Sequence, residues 1–374
     1  MGNFPLSFDE IRAYYDTEVP EVMLRITQKP SFQALMPHLL PDIPLPEVEA
    51  GFRSVTSTWD FQRKYIHKAI RSIISDSTAG LSCEGLEYVT PETPRLFLSN
   101  HRDIILDSAF LNVLLFEHQV PTSHIAIGDN LLVSPIVSDL MRLNKSFIVH
   151  REAPRHLMLA YSERLGRYIR HIITEVKESV WLAHRNGRSK EGIDQTHTGL
   201  LKMLTLGGPD SLADNFNQLS ICPMAISYEY EPCDWLKAEE KVYHYKNIPY
   251  LKDDKMAMVR GIRDPKGRVH LAIGAPLHLR EEDVTCHPTR NDFLRWLAAE
   301  LDMRIWQYYR KWPTHYIAHD LLHHTQAYAE QYTPDEKNAF EAHLEMRVTS
   351  CPDHRDEIRT QILKLYANAL SAPV

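Results

Sequence analysis

The chain has 374 residues, of which 44% are hydrophobic, and it carries a net charge of −7 at pH 7. This length allows one large domain with appendages or two domains, and the acidic balance argues against a nucleic-acid-binding protein. Five cysteines are widely spread without a CxxC pair. This spacing argues against a disulfide framework and against a zinc site, and it suits a reducing cytoplasm.

Residues 1–80 are predicted to be mostly helical, with an interruption at the proline-rich stretch MPHLLPDIPLPEV (36–48). The stretch TSTWDFQRKYIHKAIRSIIS (56–75) places apolar side chains at helical spacing, so a second apolar surface must cover it. The first residues lack the basic-then-apolar order of a signal peptide, and no apolar run reaches the ~18 residues of a membrane span. We therefore expect any membrane contact to be peripheral.

Between residues 81 and 285, short apolar runs alternate with longer helical patterns. This alternation predicts an α/β fold with a largely parallel central sheet flanked by helices. The runs predicted as strands are 95–99, 124–128, 146–150, 179–183, 221–227 and 269–277, and the helical patterns are 107–118, 130–142, 153–176 and 194–206.

From about residue 286 to the last residue, 374, the pattern is helical again. Helices are predicted over 291–312, with Asn291 or Asp292 as the cap, over 333–348, where Thr333 precedes a proline and two acidic residues, and over about 352–369. The predicted organisation is a helical N-terminal region (1–80), an α/β domain (81–285) and a helical C-terminal region (286–374).

The stretch LFLSNHRDIILDSAF (96–110) carries the first candidate site. Here an apolar strand ends in polar residues, and α/β folds place their sites at the carboxyl edge of the sheet. A histidine at this edge, His101, can take a proton from a hydroxyl near neutral pH. An aspartate bonded to its other ring nitrogen would fix the tautomer and stabilise the imidazolium. A capping role for Asn100 or Asp103 is the alternative.

A local excess of positive charge lies between residues 142 and 205, with 12 Lys and Arg against 6 Asp and Glu. The pattern has two interpretations. It is either a solvated helix face or a basic floor that binds a phosphate or an acidic partner.

Four blocks in order resemble the glycerol-3-phosphate and lysophosphatidic acid acyltransferase superfamily. They are NHRDIILD (100–107), GDNLLVSPIVSDLMRLNKSFIVHR (128–151), WLAHRNGRSKEG (181–192) and ICPMAISY (221–228). The Gly-Asp-Asn-Leu motif resembles the glycerol-3-phosphate acyltransferase branch more than the lysophosphatidate branch. The resemblance covers about residues 95 to 230 and leaves out the helical ends.

The resemblance implies a catalytic dyad of His101 and Asp107, with Asp103 as the alternative carboxylate. The superfamily separates its histidine and aspartate by four residues, whereas five separate them here. On a regular helix, six steps leave the two side chains ~120° apart, unless a loop absorbs the extra residue. A second departure is that Arg185 and Asn186 stand where the superfamily has a glutamate.

The resemblance also supplies candidates for binding the acceptor. Arginine suits phosphate because its planar fork binds two oxygens at once. A glycine in the third block permits a tight turn and close backbone approach. The candidate substrate-binding residues are Arg102, Asn130, Arg151, Gly187, Arg188 and Lys190; no metal site is expected.

The implied activity is transfer of a fatty acyl group from an acyl carrier protein or coenzyme A thioester to a hydroxyl of glycerol 3-phosphate or a lysophospholipid. The thioester is a co-substrate, and no other cofactor is expected. Two alternatives stay open. The acceptor is a lipid without phosphate, such as an aminolipid, or the protein is a catalytically silent lipid-binding protein with the same fold. The expected location is the cytoplasm, peripheral at the inner face of the membrane.

Overall fold

A seven-stranded sheet crosses the centre of the computed structural model, which describes residues 7–39, 43–132, 134–151, 154, 156–251, 253–349, 351 and 353–372. Its strands in these ranges are β1 (Leu81–Glu84), β2 (Leu96–Ser99), β3 (His124–Gly128), β4 (Ser146–Val149), β5 (Val180–Ala183), β6 (Ile221–Tyr228) and β7 (Val269–Ile273).

The strand order is β1–β7–β6–β2–β5–β3–β4. β2 pairs in parallel with β5 and β6, and β3 pairs in parallel with β4 and β5. β7 is parallel to β1 and antiparallel to β6. The largely parallel sheet predicted from the sequence is therefore confirmed.

Helices cover both faces and both ends of the sheet. They are α1 (Val19–Thr27), α2 (Pro30–Leu39), α3 (Leu45–Arg53), α4 (Thr58–Phe61), α5 (His67–Ser77), α6 (Leu106–Glu117), α7 (Pro135–Leu143), α8 (Met158–His171), α9 (Thr198–Leu204), α10 (Leu212–Asn217), α11 (Asp234–Tyr245), α12 (Asp254–Arg263), α13 (Glu281–Thr285), α14 (Arg290–Tyr308), α15 (Pro313–His323), α16 (Pro334–Thr349) and α17 (Arg355–Ala367). None of the helices in the described ranges has the length and apolarity needed to cross a bilayer.

Six of the strands coincide with predicted apolar runs, and β1 was not predicted. Its four residues, LSCE, are too few to show a period, and alternate side chains are exposed at the edge of the sheet. Helices α10, α11, α12, α13 and α15 also lie outside the individually predicted elements. The helix predicted over 153–176 begins at Met158 and continues through a π turn (Ile172–Val176). Residues 40–42, 133, 153, 155 and 352, which fall in predicted segments, lie outside the described residues.

Two predicted helix caps have different outcomes. Thr333 Oγ1 accepts a hydrogen bond from the Glu336 amide at 3.2 Å, and the Glu336 carboxylate accepts from the Thr333 amide, so this capping box is confirmed. The cap predicted for α14 was wrong. Thr289 Oγ1 accepts from the Asp292 amide, because Asp292 lies one turn inside the helix.

The terminal helices bury their apolar faces against the α/β region. Side chains of α1 and α3 pack together with Leu143 of α7 in one buried cluster. A second buried cluster joins α15, α16 and α17 to Ala238 and Val242 of α11. The boundaries predicted at residues 80 and 285 stay predictions.

A buried ion-pair network holds the amino edge of the sheet. Glu178, just before β5, lies 2.7 Å from His124 Nε2 at the start of β3 and 2.9 Å from Lys145 Nζ before β4. Burial would raise the pKa of Glu178, but the His124 hydrogen bond and the Lys145 charge lower it to about 2. This carboxylate therefore stabilises the fold at the edge opposite the candidate site.

Candidate active site

The candidate residues gather where four parallel strands end. The carboxyl ends of β2, β3, β4 and β5 lie at one edge of the sheet because these strands run in the same direction. His101 follows β2, Asn130 follows β3, Arg151 follows β4, and the 185–192 loop follows β5. This edge is where α/β folds place their binding sites.

His101 and Asp107 are joined by a hydrogen bond. His101 Nδ1 lies 2.8 Å from Asp107 Oδ2. The His101 side chain is 10% exposed, and its ring packs edge-on against Trp181 of β5, with the centroids 5.6 Å apart. A carboxylate only accepts hydrogen bonds, so in the neutral ring the shared proton belongs to Nδ1 and the lone pair is left on Nε2. This is the arrangement that a general base requires.

The loop between β2 and α6 absorbs the extra residue of the His–Asp spacing. The chain becomes helical only at Leu106, so His101 is not on the helix and the ~120° divergence expected of a regular helix does not arise. Asp107 lies in the first turn of α6, and its Oδ2 also accepts from the backbone amides of Arg102 at 2.7 Å and Asp103 at 3.0 Å. The carboxylate therefore organises the loop as well as the ring.

A third side chain, Tyr228, orients the carboxylate. Its hydroxyl, at the end of β6, donates to Asp107 Oδ1 at 2.8 Å. Burial and the Asp107 charge raise the pKa of Tyr228 well above its ordinary value, so the phenol stays a donor. Sequence reasoning missed this residue, although the fourth block, ICPMAISY, ends on it.

Asp103, the alternative carboxylate, has a different position. Its Oδ1 accepts from the amides of Ile105 and Leu106, both at 2.8 Å, and so caps the start of α6. Its Oδ2 lies against α12, where a methyl group on Gly261 would come within 2.2 Å of it. The structure thus pairs the His101 ring with Asp107 and gives Asp103 a capping role.

Arg102, a predicted substrate-binding residue, lies in a buried ion-pair network. Its side chain is 2% exposed. Its Nη2 donates to Asp194 at 2.6 Å, its Nη1 lies 3.6 Å from Glu231, and its guanidinium lies 5.0 Å from the Tyr309 ring centroid. Lys237 donates to the Arg102 carbonyl at 2.7 Å. This network fixes the backbone next to His101 and leaves Arg102 outside the basic pocket.

A basic pocket of about 410 Å³ is lined in part by the 185–192 loop, and neither His101 nor Asp107 is among its described lining residues. The Ser189 amide donates to the His101 carbonyl at 2.9 Å, which holds the 185–192 loop next to His101. Gly187 has a φ of +77°, a turn conformation that favours glycine. The lining residues are Arg151, Arg185, Asn186, Gly187, Arg188, Lys190, Glu191, Glu240, Lys241 and His244.

The cationic side chains of this pocket differ in whether they already have a hydrogen-bond or ion-pair partner within the protein. Arg188 Nη1 and Arg185 Nε are buried without a hydrogen-bond partner among the described residues. Burial lowers the pKa of Arg151, against the opposing charges of Asp254 and Asp129, but an arginine stays protonated. Lys190 pairs with Glu240.

Asn130, predicted to bind substrate, bonds within the protein. Its Nδ2 donates to Asp254 Oδ2 at 3.2 Å, which joins the turn after β3 to the start of α12. Arg185, which entered the sequence analysis only as a departure from the superfamily pattern, lines the pocket instead. The structure thus brings Arg151, Gly187, Arg188 and Lys190 together and adds Arg185.

Some of the other charges in the 142–205 stretch are used inside the fold, whereas Arg167, Lys177 and Lys202 are exposed. Arg142 donates to the carbonyls of Arg12 and Asp9 at 2.8 and 3.0 Å, and the buried Arg170 donates to Asn215 Oδ1 at 2.7 Å. The pocket thus draws its positive charge from a few arginines rather than from the whole basic stretch.

An apolar groove of about 570 Å³ adjoins the basic pocket, and the two share Arg151, Arg185 and Asn186. Its volume lies in the range of small-molecule sites. Leu106 and Phe110, which are near the site in sequence, are core residues with no exposed surface and do not line it. The apolar lining comes from β3, β4, β5, α8 and α9 through Ala126, Val149, Met158, Leu165, Leu182, Ala183, Leu200 and Met203.

Within the described residues, no group of three or more His, Cys, Asp or Glu side chains is placed to hold a metal ion. The five cysteines are free thiols. The described features that bear on the chemistry of this site are the His101–Asp107 pair, the basic pocket and the apolar groove.

Comparison with known proteins agrees with the four sequence blocks. A family model described as Acyltransferase matches residues 80–227, the part of the chain from β1 to β6. This match confirms the family resemblance predicted from the sequence.

Two individual proteins are similar to this chain. The dihydroxyacetone phosphate acyltransferase of Bos taurus is 23% identical over 225 residues, which are 59% of this chain and 31% of the bovine protein. The chain thus spans less than a third of the length of that relative. The crystal structure of the 1-acyl-sn-glycerophosphate (LPA) acyltransferase PlsC from Thermotoga maritima has a TM-score of 0.35 and 14% sequence identity, and the match covers 76% of this chain and 91% of that one.

Proposed function

We propose that the chain transfers a fatty acyl group from an acyl thioester to a hydroxyl of a phosphorylated acceptor, since a family model described as Acyltransferase matches residues 80–227. The acceptor is glycerol 3-phosphate or a lysophospholipid. The name of the bovine relative adds dihydroxyacetone phosphate as a third candidate. The observation that carries the proposal is the 2.8 Å bond between His101 Nδ1 and Asp107, which leaves the lone pair of Nε2 to act as a base. The 185–192 loop, which lines the basic pocket, is bonded to the His101 carbonyl through the Ser189 amide.

The proposed step needs no serine or cysteine nucleophile, because the thioester is already activated. His101 Nε2 takes the proton of the acceptor hydroxyl as the oxygen attacks the thioester carbonyl. The tetrahedral intermediate then collapses, the carbon–sulfur bond breaks, and the imidazolium returns the proton to the leaving thiolate. Asp107 stabilises the imidazolium through Nδ1. Base catalysis accounts for about 10²–10⁴-fold, and positioning of the two substrates adds to it.

The two cavities suggest how the substrates are held. The arginines of the basic pocket suit a phosphate, because each guanidinium can donate two hydrogen bonds to it. The adjoining apolar groove suits a fatty acyl chain. The donor is acyl carrier protein or coenzyme A thioester. The location that fits such substrates is cytoplasmic and peripheral at the inner face of a membrane.

The test is an acceptor panel on the purified protein. Palmitoyl-coenzyme A and palmitoyl-acyl carrier protein are supplied with glycerol 3-phosphate, dihydroxyacetone phosphate or lysophosphatidate, and with glycerol or an aminolipid as acceptors without phosphate. Products are identified by mass spectrometry. Acylation of the phosphorylated acceptors alone supports the proposal, whereas acylation of the aminolipid alone supports the alternative acceptor.

The basic pocket is tested by removing its charges one at a time. Arg151→Ala and Arg188→Ala should each raise KM for the phosphorylated acceptor about 10–100-fold, since a hydrogen bond to a charged group contributes about 1.5–3 kcal/mol. Lys202→Ala is the matched control, because Lys202 is an exposed cation of α9 that does not line the pocket. Equal effects in all three variants would contradict the assignment of this pocket.

The silent lipid-binding alternative rested on the five-residue gap between His101 and Asp107. Despite the five intervening residues, the loop between β2 and α6 brings the two side chains within hydrogen-bond distance. The decisive measurement is thioester turnover by the wild type and by His101→Ala. Unchanged turnover in a folded His101→Ala variant would rule out His101 as the base.

A further inference from the structure

One face of α12 lies against the catalytic loop. A methyl group on Gly261 would come within 2.2 Å of Asp103 Oδ2, and the Ala257 carbonyl accepts from Cys233 Sγ at 3.2 Å. Both Ala257 and Gly261 are buried. These two residues define the inner face of the helix. Met256 and Val259 therefore lie on its outer face and point away from the protein.

The outer face of α12 is apolar and exposed. Met256 is 44% exposed and Val259 is 50% exposed. Tyr245 and Leu251, which precede the helix, are 85% and 93% exposed. These four belong to the thirteen large apolar side chains that the described part of the chain exposes, and they fall within 15 residues. Exposed apolar residues are normally scattered, so such a cluster indicates an interaction surface.

The same surface is cationic. Lys255, Arg260 and Arg263 are exposed on α12. The stretch from 245 to 263 contains five Lys or Arg against two Asp, in a chain whose net charge is −7. Both acidic residues are hydrogen-bonded within the protein. Asp253 caps α12 by accepting from the Met256 amide at 2.8 Å, and Asp254 bonds to Asn130. A helix that exposes apolar and basic side chains together is typical of binding to an anionic lipid surface.

We propose that the outer face of α12, together with Tyr245 and Leu251, is the surface by which the protein docks on an anionic bilayer. The Asn130–Asp254 bond joins the start of α12 to the turn after β3. The Asp254 charge also acts on Arg151, which lines both the basic pocket and the apolar groove. Met158, which lines the apolar groove, and Leu159 are themselves 43% and 70% exposed. Docking through α12 would bring the mouth of the groove to the lipid surface. The reason for meeting a membrane rests on the proposed function, but the surface is defined without it.

The experiment measures sedimentation of the full chain with vesicles of phosphatidylcholine alone or with 30% phosphatidylglycerol. The wild type should bind the anionic vesicles and lose binding as salt rises. Val259→Glu should weaken binding at least ten-fold, since it removes an inserted apolar side chain and adds a negative charge. Lys255→Ala and Arg263→Ala should each weaken it about five-fold at low salt.

Val176→Glu is the matched control. It is the same substitution at a residue of similar exposure, 45% against 50%, but Val176 precedes β5 at the opposite edge of the sheet. Thermal unfolding and turnover of a water-soluble short-chain thioester should be unchanged in both variants. Equal vesicle binding by both variants, or salt-independent binding to neutral vesicles, would overturn the proposal. Wild-type protein that binds no vesicle would also overturn it and would leave this face to a protein partner.

The two proposals fail separately. A wild type that binds anionic vesicles through α12 but acylates no acceptor would contradict the proposed function alone. A wild type that acylates soluble acceptors while Val259→Glu binds vesicles normally would contradict the docking surface alone.

Discussion

Replacing Asp107 by Asn exchanges one carboxylate oxygen for an amide nitrogen at the centre of the candidate site. The backbone amides of Arg102 and Asp103 still require an acceptor, so the Asn oxygen should keep the place of Oδ2 and the ring should keep its tautomer. The negative charge 2.8 Å from Nδ1 is lost. At an effective dielectric constant of about 20, Coulomb attraction between that charge and the imidazolium is at most about 6 kcal/mol.

We expect kcat of Asp107→Asn to fall about 10²–10⁴-fold, which is the range that base catalysis contributes. KM should change little, because Asp107 is buried beneath the ring and does not line either cavity. The assay follows thiol release from palmitoyl-coenzyme A with a thiol reagent, at saturating acceptor. Thermal unfolding of the same samples separates loss of catalysis from loss of folding.

The matched control is Asp103→Asn. An asparagine caps a helix about as well as an aspartate, so the amides of Ile105 and Leu106 keep their acceptor and the variant should keep most of its turnover. The reasoning would be refuted if Asp107→Asn turned over at the wild-type rate, or if Asp103→Asn lost as much activity as Asp107→Asn.

Three further predictions concern packing, pH and chain length. Gly261→Ala should lower both the melting temperature and kcat, because its methyl group would collide with Asp103 Oδ2 and overpacking costs about 1–3 kcal/mol; a higher melting temperature with unchanged kcat would contradict this. Glu178→Gln should lower the free energy of unfolding at pH 7 by up to about 3 kcal/mol, because the His124 hydrogen bond and the Lys145 charge lower the folded-state pKa of Glu178 to about 2. Since that pKa is lowered, the contribution is complete above about pH 4.5 and disappears as the pH falls towards 2, so urea titrations from pH 7 to 3 should converge for wild type and variant. Gly199→Leu should shift preference to shorter acyl chains without loss of stability, because Gly199 borders the groove with open space around its Cα; an unchanged kcat/KM series from C8 to C18 thioesters would exclude this groove as the acyl site.

Much of the fold was predictable because it depends on local periodicity. Apolar runs such as 221–227 must be buried on both faces, and runs alternating with helical patterns lead to a largely parallel sheet. The same logic placed His101 at the carboxyl edge of the sheet. Short or weakly patterned elements escaped prediction. β1 has only four residues and lies at the edge of the sheet. The apolar residues of α12 are partly exposed and do not repeat at the spacing of a buried helix face.

Patterns that extend over a few residues therefore determined the order of strands and helices along the chain. They also determined which polar residues follow each strand. The partners within the site were not. Whether His101 meets Asp107 depended on where the chain first becomes helical, and Tyr228 reaches the same carboxylate from a strand 121 positions away. That Arg102 pairs with Asp194 and Glu231 was likewise decided by tertiary packing, and its role as a substrate ligand stays a prediction. Pairings of this kind are decided by the assembled sheet and its terminal helices, because a hydrogen bond depends on distances of ~3 Å that no local repeat specifies.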